Sequence, residues 1–477
     1  MQKNIVHAAQ LLLFCSLCGA CKKQLDVYPT TTEVNGNIIT DVQSASTALN
    51  GVYYRFAASG ADNNGVPSTL WVDVKEGYPS ELCGMFTYPY GGSDLSTHTY
   101  KATSYEALTM WSYGYNLVNA ANGFLENIAP VKTIVDSTKN EMVAEAKFLR
   151  AYADSYLLLN FGQYYDTTST YGIILRSQFV TTTNLNLPRS PVGEVYDSVL
   201  ADINSAIPYL PSTNATKAAT NEWAAKLLEA RLLMNRGVAG DYAEVISLTS
   251  DIIANSPFSL EPNTKDIFLT KDLSSNEVML GVQPYTSPQQ TYKYEEYLYY
   301  NQYVLTDTMI SLFNGDPRQT STYYTFTSPY GYGNFGAFIK YYPGDTLNLS
   351  PNPITEFSYA FRLTEAYLLE AEALVASGGN MSTAKSLLET VLGHAGFTDF
   401  SNVNAATTAA ELQSLIIQEE MKNFVGEDGQ DWLAFRRLPF ATVQTMIPAI
   451  ISKDLLIMPV PETEITGNSL VIQNPSY

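Results

Sequence analysis

The stretch Glu141–Gly162 reads EMVAEAKFLRAYADSYLLLNFG. Met142, Ala146, Leu149, Ala153 and Tyr156 recur at alternating steps of four and three, which lays one apolar stripe along a helix. The two alanines in that stripe leave room for a second helix to approach closely. A stretch of the same character, AFRLTEAYLLEAEALVASGG, begins at Ala360 and places Ala360, Leu363, Tyr367, Ala371 and Leu374 on one face. Gly378-Gly379 supplies its stop. Between the two lie VGEVYDSVLADINSAIPYLP, NEWAAKLLEARLLMNRG and DYAEVISLTSDIIANSP, each about one helix long and each closing in Gly or Pro. Helical patterning also opens at Asp41, a candidate N-cap, and covers 106–129, 383–396, 409–426 and 429–438. The sequence therefore predicts a mainly α protein: a tetratricopeptide-like scaffold of about four helix pairs. No strict 34-residue period runs through it.

Two regions break the helical pattern. Residues 76–104 are rich in Gly, Pro, Ser and Tyr, and residues 258–358 are loop-rich with short strand-like runs. Many of the 34 tyrosines cluster here. A sugar presents flat C–H faces and hydroxyl edges, so a site for it needs ring platforms and a few hydrogen-bonding side chains. MFTYPYGGSD offers Phe86, Tyr88 and Tyr90 beside Asp94. QPYTSPQQTYKY offers Tyr285, Tyr292 and Tyr294 beside Gln283, Gln289 and Gln290, and SPYGYGNF offers Tyr330, Tyr332 and Asn334. These clusters are the predicted ligand-binding residues.

Chemistry other than binding has little to work with. The 477 residues carry a formal net charge of -20, which disfavours nucleic acid as a partner because a phosphate backbone is repelled. Of three histidines, His98 and His394 have no ligand-like spacing to cysteine or to each other, so no metal and no cofactor is expected. Asp94 and His98, four residues apart, read as a satisfied surface pair. No nucleophile elbow, Walker loop or dinucleotide fingerprint is present. Glu419-Glu420 and Glu427-Asp428 are carboxylate pairs of the kind a glycosidase needs, but helix-pairing or solvated acids have the same appearance. No catalytic residue is predicted.

The N-terminus, LLLFCSLCGACKKQLDVYP from Leu11, has the order of a secretory signal: Lys3, an apolar run, then Gly19-Ala20 directly before Cys21. It looks like a bacterial lipobox, with residues 1–20 removed and Cys21 lipidated. Cys83 would then be the one thiol left, too few for an internal disulfide.

Four stretches in order resemble the SusD/RagB family of outer-membrane lipoproteins of Bacteroidota. They are the start CKKQLDVYP (from Cys21), AEAKFLRAYADSYLLLNFGQYY (from Ala144), FRLTEAYLLEAEALVASG (from Phe361) and the tail LLIMPVPETEITGNSLVIQNPSY (from Leu455). EEMKNFVGEDGQDWLAFRRL is similar to a further family helix, with Met421 and Lys422 where the family favours arginine and Asp428 as an insertion. The likeness implies one SusD-like domain over 21–477, with eight helices in four tetratricopeptide-like units and a ligand region at about 258–358. It implies no catalysis, and a surface-exposed lipoprotein that captures glycans for a SusC-like TonB-dependent transporter. Peptide capture is the alternative within the family, and a glycoside hydrolase is the alternative outside it.

Overall fold

The computed structural model describes residues 38–57, 71–283, 293–350 and 352–477. The lipidation candidate Cys21 and the ligand candidates Tyr285, Gln289 and Tyr292 lie outside the described residues.

The principal helices are α1 (Val42–Ala57), α2 (Tyr105–Ile128), α3 (Asp136–Phe161), α4 (Val192–Ala206), α5 (Glu222–Arg236), α6 (Asp241–Asn255), α7 (Leu363–Ala376), α8 (Met381–His394), α9 (Ala409–Phe424) and α10 (Gln430–Arg437). Their ends follow local chemistry. Asp41 Oδ1 accepts from the Ser44 N–H at 2.8 Å, and Asn221 accepts from the N–H groups of Trp223 and Ala224. Thr408 and Glu411 form a capping box at α9, and α5 ends on Gly237 with φ 61°.

Each helix packs on the next along the chain, from α1 on α2 through α7 on α8. That serial stacking is the helical-repeat scaffold expected from the sequence. Ala146 and Ala153 are completely buried on α3, as their stripe predicts. Opposite them α2 needs no side chain at Gly114, where an added Cβ would lie 2.5 Å from Leu157 Cγ. No helix among the described residues is long and apolar enough to cross a membrane.

Two boundaries differ from the sequence reading. Ala360 belongs to a strand, Ser358–Arg362, and α7 starts only at Leu363. The strand is buried along its whole length and pairs antiparallel with Val278–Val282, so tertiary pairing overrides the helical period there. The predicted loop at 76 begins instead as a π-helical turn, Val72–Gly77, running into a short helix, Tyr78–Leu82. Pro79 is tolerated because it stands in the first turn of that helix.

The strands are β1 (Phe86–Thr87), β2 (Val278–Val282), β3 (Val304–Leu305), β4 (Tyr323–Thr327), β5 (Asn334–Phe338) and β6 (Ser358–Arg362). Four of them form an antiparallel sheet in the order β1-β3-β5-β4, with Phe86 opposite Leu305, Val304 opposite Ala337 and Thr327 opposite Asn334. This sheet joins the loop after residue 87 to the hairpin at 323–338, bringing together two regions more than 200 residues apart in sequence.

Buried charge anchors the strands to the helical scaffold. Arg362 of β6 bonds Glu427 through Nε at 2.7 Å and Nη2 at 3.0 Å, and Glu277 through Nη1 at 2.7 Å. Lys340 also meets Glu427. Asp428, in the left-handed region at φ 47°, binds Lys75 at 2.8 Å and Arg231 at 2.7 Å, and Arg231 forms a fork on Glu365. Burial pulls the Lys75 and Lys340 ammonium groups down to about 8, against the pull of Asp428 and Glu427. Glu427 and Asp428 are thus engaged in ion pairs, as are Glu419 with Arg318 and Lys422, and Glu420 with Arg437. Lys422, where the resemblance leads one to expect arginine, is itself engaged in ion pairs with Asp316 and Glu419.

Candidate functional site

The YPYGG segment at Tyr88 leaves β1 and folds back on itself, with the Gly92 N–H bonded to the Tyr88 carbonyl at 2.9 Å. Gly91 and Gly92 both have positive φ, which lets the chain make this turn, and Tyr88 and Tyr90 are left partly exposed. On the other side of the sheet, β4 and β5 are joined by a tip closed between Ser328 and Gly333. Tyr330 and Tyr332 stand on that tip, 78% and 60% exposed.

The two segments meet. The Tyr90 ring lies 4.8 Å from Tyr332 at 72° and 5.3 Å from Tyr88 at 77°, both edge-to-face. Phe335 is 6.5 Å from Tyr90 and 4.9 Å from Phe326, extending the aromatic surface down the hairpin. Partial burial, then the phenols of Tyr88, Tyr330 and Tyr332, push the Tyr90 hydroxyl upward, so it stays a neutral hydrogen-bond donor.

Beside this platform opens a cavity of about 360 Å³ that shares Tyr88 as a wall. Tyr78 and Tyr303 are its other rings, and Asp73, Glu81, Glu106 and Glu296 are its carboxylates. The Tyr303 hydroxyl donates to Asp73 at 2.5 Å. Its ring occupies space that only a glycine leaves free, since a Cβ on Gly77 would fall 2.3 Å from Tyr303 Cζ. Gly77→Ala is therefore expected to displace Tyr303 and destabilise the protein by about 1–3 kcal/mol. A urea midpoint equal to that of the unchanged protein would contradict this packing.

The other sequence-predicted residues fall as follows. Phe86 is wholly buried, packed edge-on to Phe338 at 4.9 Å and near Tyr297 and Tyr303. It offers no face to a ligand, because it points into the core side of the sheet. Tyr294 is buried as well, its ring 6.3 Å from Tyr342. Asp94 is exposed and accepts from the Thr99 hydroxyl. Asn334, also exposed, accepts from Thr327 across the hairpin at 2.8 Å. Asp94 and His98 do not form the expected pair: His98 Nε2 meets the Leu82 carbonyl at 3.0 Å, and burial lowers its pKa to about 4. Phe335, Tyr303 and the cavity carboxylates were not singled out from the sequence. Phe335 had a signal, the alternation of aromatics on both sides of a Gly-rich turn; the carboxylates had none.

A second groove, of about 570 Å³, runs along α2 and is lined by Trp111, Tyr115, Asn116, Asn119 and Arg176. Its Trp111 ring is spent on packing against Phe161 and Tyr115, and the Tyr115 hydroxyl accepts from the Ile174 N–H. Among the described residues no group of three or more His, Cys, Asp or Glu is disposed to hold a metal ion.

A helical-repeat scaffold carrying an inserted aromatic surface defines a class of binding protein, and comparison with known proteins gives the family. Residues 81–234 match the SusD-like family described as "starch-binding associating with outer membrane", and residues 289–446 match the SusD family. A SusD-like protein of Bacteroides ovatus is 23% identical over 436 residues, covering 81% of this chain and 74% of that protein. Among solved structures, a SusD superfamily protein of Bacteroides thetaiotaomicron superposes with a TM-score of 0.73 at 19% identity, covering 91% of this chain and all of the other. A laminarin-binding SusD-like protein superposes with a TM-score of 0.69, also at 19% identity, over 92% of this chain and all of the other. The chain belongs to the SusD/RagB family.

Proposed function

We propose that the chain is an outer-membrane lipoprotein that captures oligosaccharides on the platform of Tyr88, Tyr90, Tyr330 and Tyr332 and hands them to a SusC-like TonB-dependent transporter. One observation carries the reading: tyrosines from two distant segments converge on a single exposed surface, with Tyr90 and Tyr332 in edge-to-face contact. Rings so placed offer flat apolar faces to pyranose C–H groups and hydroxyls to their edges. The family's starch-binding description and the laminarin-binding structure of like fold support a carbohydrate cargo. An open platform binds weakly enough to release what it holds, and a lipid on Cys21 would keep the protein at a high effective concentration beside its transporter. That Glu427 and Asp428 are engaged by Arg362, Lys75 and Arg231 supports capture over hydrolysis by that pair.

Titration calorimetry of the purified protein against plant, microbial and host oligosaccharides and a peptide mixture tests this reading. Heat with one glycan class is the expected result. Heat with peptides alone would assign the protein to peptide capture.

A further inference from the structure

The loop after α3 is held along α2 by side chains of that helix. Asn122 Nδ2 donates to the carbonyls of Arg176 and Gln178, at 2.9 and 3.1 Å. The Val180 N–H donates to Asn119 Oδ1 at 2.8 Å, and the Ile174 N–H to the Tyr115 hydroxyl at 2.9 Å. Between helix and loop lies the groove of about 570 Å³, a volume within the range of small-molecule sites. Ser112, Tyr115, Asn116 and Asn119 line it at steps i, i+3, i+4 and i+7, so they form one row about 10 Å long on α2.

The hydrogen-bonding capacity left over along this row consists mostly of donors. The bond from Val180 fixes the Asn119 amide with its oxygen toward the loop, which leaves the NH2 group for the groove. Burial, then Asp154, hold the Tyr115 hydroxyl well above its ordinary value, so the phenol keeps its proton and can donate it. The side chains of Ser112 and Asn116 have no hydrogen-bond partner among the described residues.

Arg176 reaches the groove from the loop, and Arg55 lines the α1 side. The Arg176 Nη1 and Nη2 donate to the carbonyls of Asn184 at 3.0 Å and Leu185 at 2.6 Å. Its Nε has no partner among the described residues and, unlike the orphaned Nε of Arg436, is not sealed from solvent. Nor does Arg176 form an ion pair with any described residue. Glu464, the carboxylate among the lining residues, accepts from Asn468 at 3.2 Å.

We infer that this groove is a second ligand site, additional to the tyrosine platform, for a sugar bearing a carboxylate: a uronic acid residue with its acid group on Arg176 and its hydroxyls along the row of Ser112, Asn116 and Asn119. A guanidinium without a carboxylate partner and a row of unpaired donors are matched by a ligand rich in acceptors, and a carboxylate is acceptor throughout. Sugar hydroxyls accept as well as donate, so each free donor along α2 can be met. A peptide strand fits less well. Its own N–H groups need acceptors, and those of Asn119 and Tyr115 are taken by the loop. The formal charge of -20 does not forbid an acid here, because charges farther away than about 8 Å are largely screened at physiological salt. The Trp111 ring, packed against Phe161 and Tyr115, serves as a wall and not as a stacking face.

The test is calorimetry on the purified protein at low salt with digalacturonate, dimannuronate, the methyl esters of both, and trialanine. At least one uronate is expected to bind about 10-fold more tightly than its ester, which lacks the charge-assisted hydrogen bond, and added salt is expected to weaken it. Ser112→Ala with Asn116→Ala is expected to weaken that binding about 10-fold while leaving the urea midpoint unchanged, since neither side chain bonds to the rest of the protein. Tyr90→Ala with Tyr332→Ala is expected to leave uronate binding as it was. Binding that survives the first double variant and disappears in the second would seat the acid on the platform and overturn the groove as its site. Equal affinity for acid and ester, binding of trialanine in place of the uronates, or silence from both uronates would each overturn the inference too. None of these outcomes bears on the capture of neutral glycans by the platform.

Discussion

Arg362→Met is expected to lower the stability of the protein by about 3–5 kcal/mol. Arg362 is 1% exposed and holds two carboxylates at once, forking onto Glu427 and reaching Glu277. Methionine matches much of its length but carries no charge and no donors. Glu277 would keep the Thr364 hydroxyl and lose its cation, while Glu427 would be left to Lys340 alone. A buried carboxylate without its partner costs far more than the pair contributes when intact, because desolvation of the remaining charge is uncompensated. A loss of that size is a large share of the ~5–15 kcal/mol that keeps a protein folded. The urea midpoint, followed by circular dichroism, is expected to fall steeply, with Arg362→Lys in between because lysine restores the charge but not the fork. An unchanged midpoint for the methionine variant would mean that the network does not anchor the β2–β6 pair to the α9–α10 corner.

The second large effect concerns binding. Tyr90→Ala with Tyr332→Ala removes the central edge-to-face contact of the platform and both ring faces. Anchoring aromatic residues of this kind contribute about 2 kcal/mol or more together, so the dissociation constant for the cognate glycan is expected to rise about 30-fold or further. The fold is expected to survive, since Tyr332 stands on the hairpin tip and Tyr90 on the exposed side of its loop. Calorimetry paired with a urea midpoint separates the two effects. Retained affinity at unchanged stability would move the site away from these rings.

The helical scaffold was legible because its signal is local. Ala146 and Ala153, three and four residues from their stripe neighbours, announce a buried face in any context, and Asp41 announces a helix start. Ala360 was misread for the opposite reason. Its strand exists because β2, some 80 residues earlier, pairs with it, and no local pattern encodes that partner. The platform lay between these cases. Tyrosine clusters in Gly- and Pro-rich segments pointed to Tyr88, Tyr90, Tyr330 and Tyr332, which are exposed or partly exposed rings, yet their meeting depends on β1 and β5 flanking the two-residue strand β3. Phe86 shows the limit of composition as a guide. It belongs to the same cluster in sequence, but it lies on β1 and packs into the core with Phe338, whereas Tyr88 and Tyr90 follow after that strand has ended. The cavity carboxylates were illegible altogether, since Asp73, Glu81, Glu106 and Glu296 come from four separate elements that only the fold brings together.

The most direct measurement is a crystal structure of the protein with the tightest-binding oligosaccharide of the calorimetric panel. The account predicts a pyranose ring stacked against Tyr90 and Tyr332. A sugar seated instead in the groove of Trp111 and Tyr115, with the tyrosine platform bare, would contradict it.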